Sequence, residues 1–417
     1  MRLIGRHLLP QVMRSLRDTP VVLINGARQT GKTTLARSIV SRHGYRFVSF
    51  DDESTLAAAL IDPHGFLEGL GEKVAIDEVQ RVPALFPAIK LVVDRHRRAG
   101  RFLLTGSADV LTMPAMSESL AGRMEPRTLW PFSQGEIEGT EERFIDDMFS
   151  ARRPSIPSEV SSRDDLIARA LPGGFPSAYR RAEARRDDWF AAYLTTIVQR
   201  DLRDLTDVRH LDAMPRILSL IATRAGGLLN VSDLSRSAGI PLTTLQRYLA
   251  LLQQAFLVRS IPPWSRTPSK RLVKSPKIVL LDPGLLAHLS GLSRARLRRD
   301  PTLAGPLIEA FAATELMKQA SWSRIRTRIL HFRTHGGREV DLVLEAADGR
   351  VVGIEVKASA SLGRADFAGM EGLREMAGAN FHRGVVLYAG TETLPFGDGM
   401  WAMPLSSVWS PRPSPKG

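Results

Sequence analysis

The chain has 417 residues, with 57 lysines and arginines against 44 aspartates and glutamates, and no cysteine. This length allows two or three domains, and an apolar fraction of 43% excludes a chain that is disordered throughout. The lack of cysteine excludes disulfides, thiolate zinc sites, iron–sulfur clusters and cysteine nucleophiles. The net charge of +13 suits an anionic partner such as nucleic acid, although an arginine-rich composition explains the same excess.

The N-terminal segment MRLIGRHLLPQVMRSL interrupts its apolar residues with arginine, so it lacks the apolar core of a signal peptide. No uncharged apolar run approaches the ~20 residues that a membrane-spanning helix needs. We therefore expect a cytoplasmic protein without a membrane partner.

Residues 1–150 alternate short apolar runs with amphipathic stretches, which predicts an α/β domain with a parallel sheet. The apolar runs show no alternation and are typical of strands buried on both faces. The predicted strands are Val21–Asn25, Phe47–Phe50, Val74–Asp77 and Phe102–Thr105, and the predicted helices are Lys32–Arg42 and Leu85–Arg98.

A phosphate-binding loop follows the first predicted strand. The segment GARQTGKT satisfies the pattern G-x-x-x-x-G-K-[ST] and opens a helix at Lys32, where backbone N–H groups and the helix N-terminus attract phosphate. Lys32 is predicted to reach the β- and γ-phosphates of ATP, and the hydroxyl of Thr33 to bind Mg²⁺. The predicted nucleotide-binding residues are Gly26, Ala27, Arg28, Gln29, Thr30, Gly31, Lys32, Thr33 and Thr34.

Two carboxylates end the third predicted strand, in the segment KVAIDE. We expect Asp77 to hold Mg²⁺ and Glu78 to act as the general base that activates the attacking water. A strand that ends in a solvated acidic turn is the alternative interpretation.

The fourth predicted strand ends in the polar segment TGSA, at the sheet edge that faces the ligand in open parallel sheets. Thr105 or Ser107 is therefore expected to orient water near the γ-phosphate. Arg123 is a candidate for neutralising charge in the transition state, from the same subunit or from a neighbouring one. An ordinary surface arginine is the alternative for Arg123.

The segments GARQTGKTTLA, VAIDEVQRVP, LLTGSA, SLAGR and WPFSQGE together resemble a large bacterial and archaeal group of AAA+-type P-loop ATP-binding proteins. The later segments GGFPSAY, KRLVKSPKIVLLDPGLLAHL and FRTHGGREVDLVLE resemble the same group, so the resemblance spans nearly the whole chain. It implies binding of ATP with Mg²⁺ in an AAA+-like domain, followed by a C-terminal region without an assigned role. A homo-oligomer, as a ring or a dimer, would follow if Arg123 acts on a neighbouring subunit.

Residues 151–300 predict a helical and winged-helix domain after the linker Arg152–Asp165. A short helix around Ser232–Ser237 meets the turn Gly239–Ile240, and a second helix carries Leu242, Leu245, Leu249 and Leu252 at helical spacing. The segments Phe256–Ile261 and Ile278–Asp282 are predicted to form the wing. The predicted DNA contacts are Arg247, Arg266, Lys270, Arg271, Lys274 and Lys277, and a module that contacts protein is the alternative.

Residues 301–417 return to mixed α/β structure and predict a hairpin of Glu339–Leu344 with Val351–Lys357 after the helix Leu307–Gln319. An aspartate on one strand and E-x-K on the next resembles the signature of the PD-(D/E)xK nuclease fold. Asp341 and Glu355 are predicted to share a metal ion, Glu309 to complete its ligands, and Lys357 to activate water. A hairpin with solvated charges is the alternative.

These patterns favour an ATP-hydrolysing protein that binds and remodels or processes DNA. The alternative is a nucleotide-dependent switch or scaffold that acts on protein partners through an inactive nuclease-like domain. DNA-stimulated ATP turnover distinguishes the two hypotheses.

Overall fold

A computed structural model describes residues 3–107, 118–154, 157, 159–201, 213–267, 275–334 and 336–410. The chain forms two compact units, of which the first comprises residues 5–131 with 254–256 and the second contains the remaining described residues. Within these ranges no helix is both long enough and apolar enough to cross a lipid bilayer. The domain boundaries at residues 150 and 300 remain predictions from the sequence.

The first unit is built on a five-stranded sheet in which all neighbouring strands are parallel. Its strands, in the order β2-β3-β4-β1-β5, are β1 Val21–Asn25, β2 Arg46–Ser49, β3 Val74–Asp77, β4 Phe102–Gly106 and β5 Met124–Thr128. The helices of this unit are α1 Leu9–Asp18, α2 Lys32–His43, α3 Glu53–Ile61, α4 Pro63–Glu68 and α5 Leu85–Arg95, with a 3₁₀ turn at Val79–Arg81.

Strand β1 shows why the predicted apolar runs become central strands. Val21 and Leu23 pack into one buried cluster with residues of α5, whereas Val22 and Ile24 pack into a second cluster with residues of α1 and α2. Alternate side chains thus enter cores on opposite faces of the sheet, and this confirms the parallel, double-faced α/β prediction.

Strand β5 was not predicted, because its sequence MEPRT lacks an apolar run. Its residues are half-buried or exposed, and it lies at the edge of the sheet beside β1. Pro126 is tolerated there because an edge strand leaves one row of N–H groups unpaired.

The second unit begins with a helical region. Its helices are α6 Gln134–Glu138, α7 Phe144–Met148, α8 Arg163–Ala170, α9 Glu183–Thr196, α10 Met214–Ala222, α11 Val231–Ala238, α12 Leu242–Gln254, α13 Pro283–Leu289 and α14 Arg294–Arg299. A π-helical turn, Ile197–Asp201, follows α9, and a 3₁₀ turn, Pro301–Leu303, follows α14.

Helices α11 and α12 lie where the sequence predicts the two helices of the helix-turn-helix. Gly239 ends α11 with a φ of +68°, a left-handed conformation that glycine adopts without strain. Leu245, Leu249 and Leu252 are buried as expected, whereas Leu242 is 41% exposed at the first turn of α12. Strands β6 Val258–Ile261 and β7 Lys277–Leu280 follow and pair antiparallel, close to the predicted wing strands.

The C-terminal part of this unit is a six-stranded mixed sheet. In the order β12-β13-β11-β10-β9-β8, its strands are β8 Thr327–Arg333, β9 Glu339–Ala346, β10 Val351–Lys357, β11 Phe381–Tyr388, β12 Leu394–Pro395 and β13 Met400–Pro404. Helices α15 Ala304–Ala320 and α16 Ala368–Ala377 pack on it, and 3₁₀ turns cover Arg364–Phe367, Gly378–Asn380 and Leu405–Val408. The predicted hairpin is present as β9 and β10, which pair antiparallel.

A fully buried carboxylate joins two segments of the second unit. Asp282 accepts hydrogen bonds from the backbone N–H groups of Gly174 at 2.7 Å and Gly284 at 2.8 Å. Gly173 has a φ of +66°, and a Cβ atom there would lie only 1.9 Å from a carboxylate oxygen of Asp282. The segments GGFPSAY and LLDPG therefore fit together through packing and hydrogen bonding.

A buried ion pair anchors the start of the second unit. The Lys318 ammonium on α15 donates to the Phe132 carbonyl at 2.9 Å and to the Glu315 carboxylate at 2.6 Å. Glu315 in turn accepts from the backbone N–H of Gln134 at 2.9 Å. Burial raises the pKa of Glu315 to about 7, and the Lys318 ammonium acts in the opposite direction.

Candidate functional site

The predicted phosphate loop connects β1 to α2 at the carboxyl edge of the parallel sheet. Gly26 has a φ of +143°, and a Cβ atom there would lie 2.3 Å from the carbonyl oxygen of Leu129. Gly31 precedes α2 with a φ of +96°, while Gln29 adopts a φ of +60° without being glycine. The two motif glycines are thus required by the backbone path, which leaves Lys32 as the first residue of the helix.

Lys32 lies inside this loop rather than in solvent. Its side chain is buried, and its ammonium donates to the carbonyls of Gly26 at 2.9 Å and Ala27 at 2.8 Å. The hydroxyl of Thr30 donates to the Ala27 carbonyl at 3.0 Å. The ammonium is therefore held within the loop that is predicted to surround the phosphates.

Five other residues of the predicted loop differ in exposure. Ala27 and Thr30 are buried, whereas Gln29 and Thr34 are exposed. Arg28 is half-buried.

Thr33 and Asp77 meet at the edge of the sheet, although they are far apart in sequence. The Thr33 hydroxyl lies 3.0 Å from both carboxylate oxygens of Asp77, and the Thr105 hydroxyl also donates to Asp77. Burial raises the pKa of Asp77, and the hydrogen bonds from Thr105 and Thr33 oppose that rise.

The Thr33–Asp77 pair fits a Mg²⁺ ion, because this metal binds proteins through one or two carboxylates and completes its shell with phosphates and water. In the described part of the chain no group of three or more His, Asp or Glu side chains is arranged to hold a metal.

Glu78 follows Asp77 in a left-handed backbone conformation, with φ +57° and ψ +45°. Its carboxylate accepts hydrogen bonds from Ser107 at 3.0 Å and from the amide of Gln80. Its backbone N–H donates to the Thr105 hydroxyl at 3.2 Å. Strain of this kind persists where neighbouring residues enforce it and is frequent at active sites. Thr105 thus contacts Asp77, and Ser107 contacts Glu78. The role of either residue in orienting water stays a prediction.

Arg6 and Gln80 were missed by the sequence analysis. The Arg6 guanidinium donates to the Thr30 carbonyl of the loop at 2.7 Å and also to the carbonyl of Trp130. Nothing in the sequence signals this contact, because Arg6 precedes the motif by 20 residues. Gln80, in contrast, lies two residues after Glu78 in the segment DEVQ, where a polar side chain at the strand end is a usable signal.

The structure places Arg123 away from the phosphate loop of its own chain, which corrects one of the two predicted roles. It directly precedes β5, and its carbonyl accepts from the N–H of Val21, the first residue of β1. Because β1 and β5 are parallel, Arg123 lies at the edge opposite the phosphate loop. Its guanidinium forms an ion pair with Asp94 at 2.6 Å, and this hydrogen bond raises the pKa of Arg123. Action on a neighbouring subunit remains a prediction.

The predicted carboxylates of the C-terminal region do come together, and Glu339 joins them. We call Glu309, Glu339, Asp341 and Glu355 the carboxylate cluster. The backbone N–H of Asp341 donates to Glu355 at 3.2 Å, and the Lys357 ammonium donates to Glu355 at 2.9 Å. Glu309 reaches the cluster from α15, Glu339 and Asp341 from β9, and Glu355 from β10.

Lys277 lies among these carboxylates, so the prediction that it contacts DNA is wrong. Its side chain is 3% exposed, and its ammonium lies 3.2 Å from Glu309, 2.8 Å from Glu339 and 2.9 Å from Asp341. Burial alone would lower the pKa of Lys277, but these carboxylates outweigh burial and raise it. The sequence placed Lys277 in a basic loop, whereas the residue begins the buried strand β7.

Burial also raises the pKa of two carboxyl groups in the cluster, to about 8 for Glu309 and to about 7 for Glu355. In both cases the charge on Asp341 adds to the effect. This is the expected response of several carboxylates that share a small, poorly solvated space.

The other predicted DNA contacts are only partly described. Arg247 on α12 and Arg266 after β6 are exposed. Lys270, Arg271 and Lys274 lie outside the described residues. Trp264, from the same basic segment, is buried against the C-terminal sheet and donates from its indole N–H to Glu345 at 3.1 Å.

Three family models match separate regions of the chain. Residues 18–138 match an AAA domain, residues 163–296 match a domain of unknown function (DUF8612), and residues 304–408 match a domain of unknown function (DUF4143). The uncharacterized proteins Rv2008c of Mycobacterium tuberculosis and Mb2031c of Mycobacterium bovis are each 33% identical over 409 residues, which is 97% of this chain and 84% of each relative.

Two further matches are more distant. An uncharacterized protein of Haemophilus influenzae is 22% identical over 315 residues, 69% of this chain and 74% of that protein. Among solved structures, the Walker-type ATPase PABY2304 of Pyrococcus abyssi is 17% identical, with a TM-score of 0.40, over 69% of this chain and 96% of that one.

Proposed function

Because this chain belongs to the same family of AAA-domain proteins as the two mycobacterial relatives, we propose that it hydrolyses ATP with Mg²⁺ at the loop between β1 and α2. Binding of ATP by the AAA domain is the premise, and hydrolysis is the step beyond it. The observation that carries the proposal is the contact of Thr33 with Asp77 at 3.0 Å, next to Glu78.

The proposed roles follow from the contacts at the carboxyl edge of the sheet. The Lys32 ammonium leaves two carbonyl partners and takes phosphate oxygens instead, which are stronger partners because they are charged. Thr33 and Asp77 would hold Mg²⁺, and the ion would supply positive charge opposite the phosphates of the nucleotide. Glu78 accepts the proton of the attacking water, and Ser107 keeps its carboxylate oriented through the hydrogen bond at 3.0 Å.

The test of this proposal is ATP turnover by the full chain in Mg²⁺ and in EDTA. Turnover that requires Mg²⁺ and is lost in Asp77→Asn supports it. Turnover by the wild type in EDTA, or by Asp77→Asn in Mg²⁺, removes the Thr33–Asp77 pair from the mechanism.

DNA is the proposed partner of the second unit. What supports it is the net charge of +13 and the basic segment that contains Arg266, Lys270, Arg271 and Lys274. Reversing the charges of Lys270, Arg271 and Lys274 is expected to weaken duplex binding and to lower the salt slope by ~0.9 for each lost phosphate contact. An unchanged slope would place the DNA site elsewhere or eliminate it.

The second candidate function is a nucleotide-dependent switch or scaffold whose nuclease-like region is inactive. The ion pairs of Lys277 with Glu309, Glu339 and Asp341 favour it, because those carboxylates are engaged by a lysine. ATP turnover with and without duplex, single-stranded and branched DNA distinguishes the candidates. Stimulation by DNA favours the first, and slow turnover that ignores DNA favours the second.

A nuclease makes a separate and riskier prediction. If Asp341, Glu355 and Lys357 form a working site, the purified protein cuts or nicks DNA in Mg²⁺ or Mn²⁺. Asp341→Ala or Glu355→Ala then abolishes cutting and leaves ATP turnover intact, because the phosphate loop and the carboxylate cluster lie in different compact units.

A further inference from the structure

The carboxylate cluster has a cation built into it. Lys277 is the first residue of β7, and its ammonium lies within 3.2 Å of oxygens from Glu309, Glu339 and Asp341. A divalent ion shared by Asp341 and Glu309 would need the same oxygens at ~2.0–2.6 Å. The ammonium and such an ion therefore compete for one position.

The remaining oxygens of the two central carboxylates are also engaged. Asp341 accepts from Lys277 with one oxygen and from the backbone N–H of Val356, at 3.0 Å, with the other. Glu355 accepts from the Lys357 ammonium at 2.9 Å and from the N–H of Asp341 at 3.2 Å. Both oxygens of Asp341 and both oxygens of Glu355 thus have hydrogen-bond partners within the chain, and the cluster does not fit a metal while Lys277 is in place.

Lys277 is fixed by its backbone as well as by its charge. Lys277 pairs with Ile261 where β6 and β7 lie antiparallel, and it forms an isolated β-bridge with Leu228. Lys357 pairs with Glu355 and Arg333 lies 3.7 Å from Glu339, whereas Lys277 contacts three of the four carboxylates, so its removal takes away their shared partner. Breaking a buried ion pair in this way is strongly destabilising because the remaining charge is uncompensated.

We infer that Lys277 is the resident cation of the carboxylate cluster: its ammonium takes the place of a divalent metal, and the cluster fastens the β6–β7 hairpin to the C-terminal sheet. This inference deepens the second candidate function and rests on it only for the C-terminal region. ATP hydrolysis by the first unit is independent of it. The partner of the carboxylates is thus the Lys277 ammonium, and a divalent metal ion binds the cluster only when this lysine is removed.

The experiment measures the melting temperature and Mn²⁺ binding of the full chain in an Asp77→Asn background, which removes the proposed cation site at the phosphate loop. The parent protein is expected to bind no Mn²⁺ at the cluster and to melt at the same temperature in Mn²⁺ and in EDTA. Lys277→Met is expected to melt at a lower temperature in EDTA, to bind one Mn²⁺, and to regain at least half of the lost melting temperature in Mn²⁺.

Lys318→Met is the matched control. Lys318 is also a buried lysine, and it forms its ion pair with one carboxylate, that of Glu315, whereas Lys277 pairs with three. This variant is expected to lose melting temperature and to show no recovery in Mn²⁺. Recovery confined to Lys277→Met therefore reports on the cluster rather than on general stabilisation by the metal.

Two results would overturn the inference. One is Mn²⁺ binding by the parent protein that disappears in Asp341→Asn, because the lysine would then not exclude the metal. The other is a folded Lys277→Met variant whose response to Mn²⁺ matches that of Lys318→Met. The first measurement needs no substitution at Lys277, so it decides the question even if Lys277→Met does not fold.

Discussion

Replacing Glu78 by glutamine is the most informative change at the phosphate site, because it alters one function of one side chain. Glutamine has the size of glutamate and still accepts a hydrogen bond from Ser107, which lies 3.0 Å from the native carboxylate. It cannot accept a proton from water. Lys32 contacts the loop carbonyls and Thr33 contacts Asp77, so ATP binding is expected to change less than about twofold.

The expected loss of turnover follows from the role of a general base. Proton transfer to a positioned carboxylate contributes ~10²–10⁴-fold to rate, which corresponds to about 3–5 kcal/mol of activation free energy. Ser107→Ala removes only one hydrogen bond to that carboxylate, worth about 1.5 kcal/mol, and is expected to slow turnover ~10-fold. The order wild type, Ser107→Ala, Glu78→Gln is therefore a prediction of graded activity.

The assay measures steady-state ATP turnover together with binding of a fluorescent ATP analogue. Glu78→Gln is expected to retain unhydrolysed ATP after gel filtration. Equal turnover by Glu78→Gln and the wild type would remove Glu78 from the role of base. Loss of ATP binding in the same variant would instead mean that Glu78 helps to form the binding site.

Three further predictions test the glycine path, the buried carboxylate and the buried ion pair. Gly26→Ala is expected to lower ATP affinity more than ~10-fold, because its Cβ atom would lie 2.3 Å from the Leu129 carbonyl oxygen. Gly44 has a φ of +69° with open space around it, so Gly44→Ala is the control. This control is expected to cost only about 1 kcal/mol of stability and to leave ATP binding unchanged. Asp282→Ala leaves three backbone N–H groups without an acceptor and is expected to lower the free energy of unfolding in urea by about 3 kcal/mol. Asp300 is an exposed helix cap, and Asp300→Ala is the control, with an expected loss of about 1 kcal/mol or less. Equal losses in the two variants would contradict the account. Folding raises the pKa of Glu315 from 4.5 to about 7, so its contribution to stability is present below the lower value and lost as pH rises through the upper one. Glu315→Gln is therefore expected to flatten the pH dependence of the unfolding free energy between about pH 4.5 and pH 7, and identical slopes would refute the assignment.

The phosphate site was predictable because its signal is local. Gly26, Gly31 and Lys32 lie on one continuous strand, loop and helix, so their spacing in the sequence determines how they are arranged in space. Asp77 required a second inference, that the carboxyl ends of parallel strands meet at one edge. Its contact with Thr33 confirms that inference.

Contacts between distant segments were not predictable in this way. Lys277 was assigned to DNA because its sequence neighbours are basic, and its real partners lie 32 and 64 residues away at Glu309 and Asp341. Arg123 was assigned to the phosphates because small residues precede it, but the sequence does not reveal the edge strand β5 that carries it away from them. In both cases tertiary packing determines where the side chain lies, and the composition of the local sequence does not indicate that position.

Binding of ATP and its turnover in Mg²⁺, compared between the wild type and Lys32→Ala, tests the central claim most directly. The Lys32 ammonium contacts the carbonyls of Gly26 and Ala27 inside the loop, so its removal is expected to abolish both binding and turnover while the second unit keeps its fold. Turnover by Lys32→Ala at the wild-type rate would contradict the account and place the ATPase site outside the loop between β1 and α2.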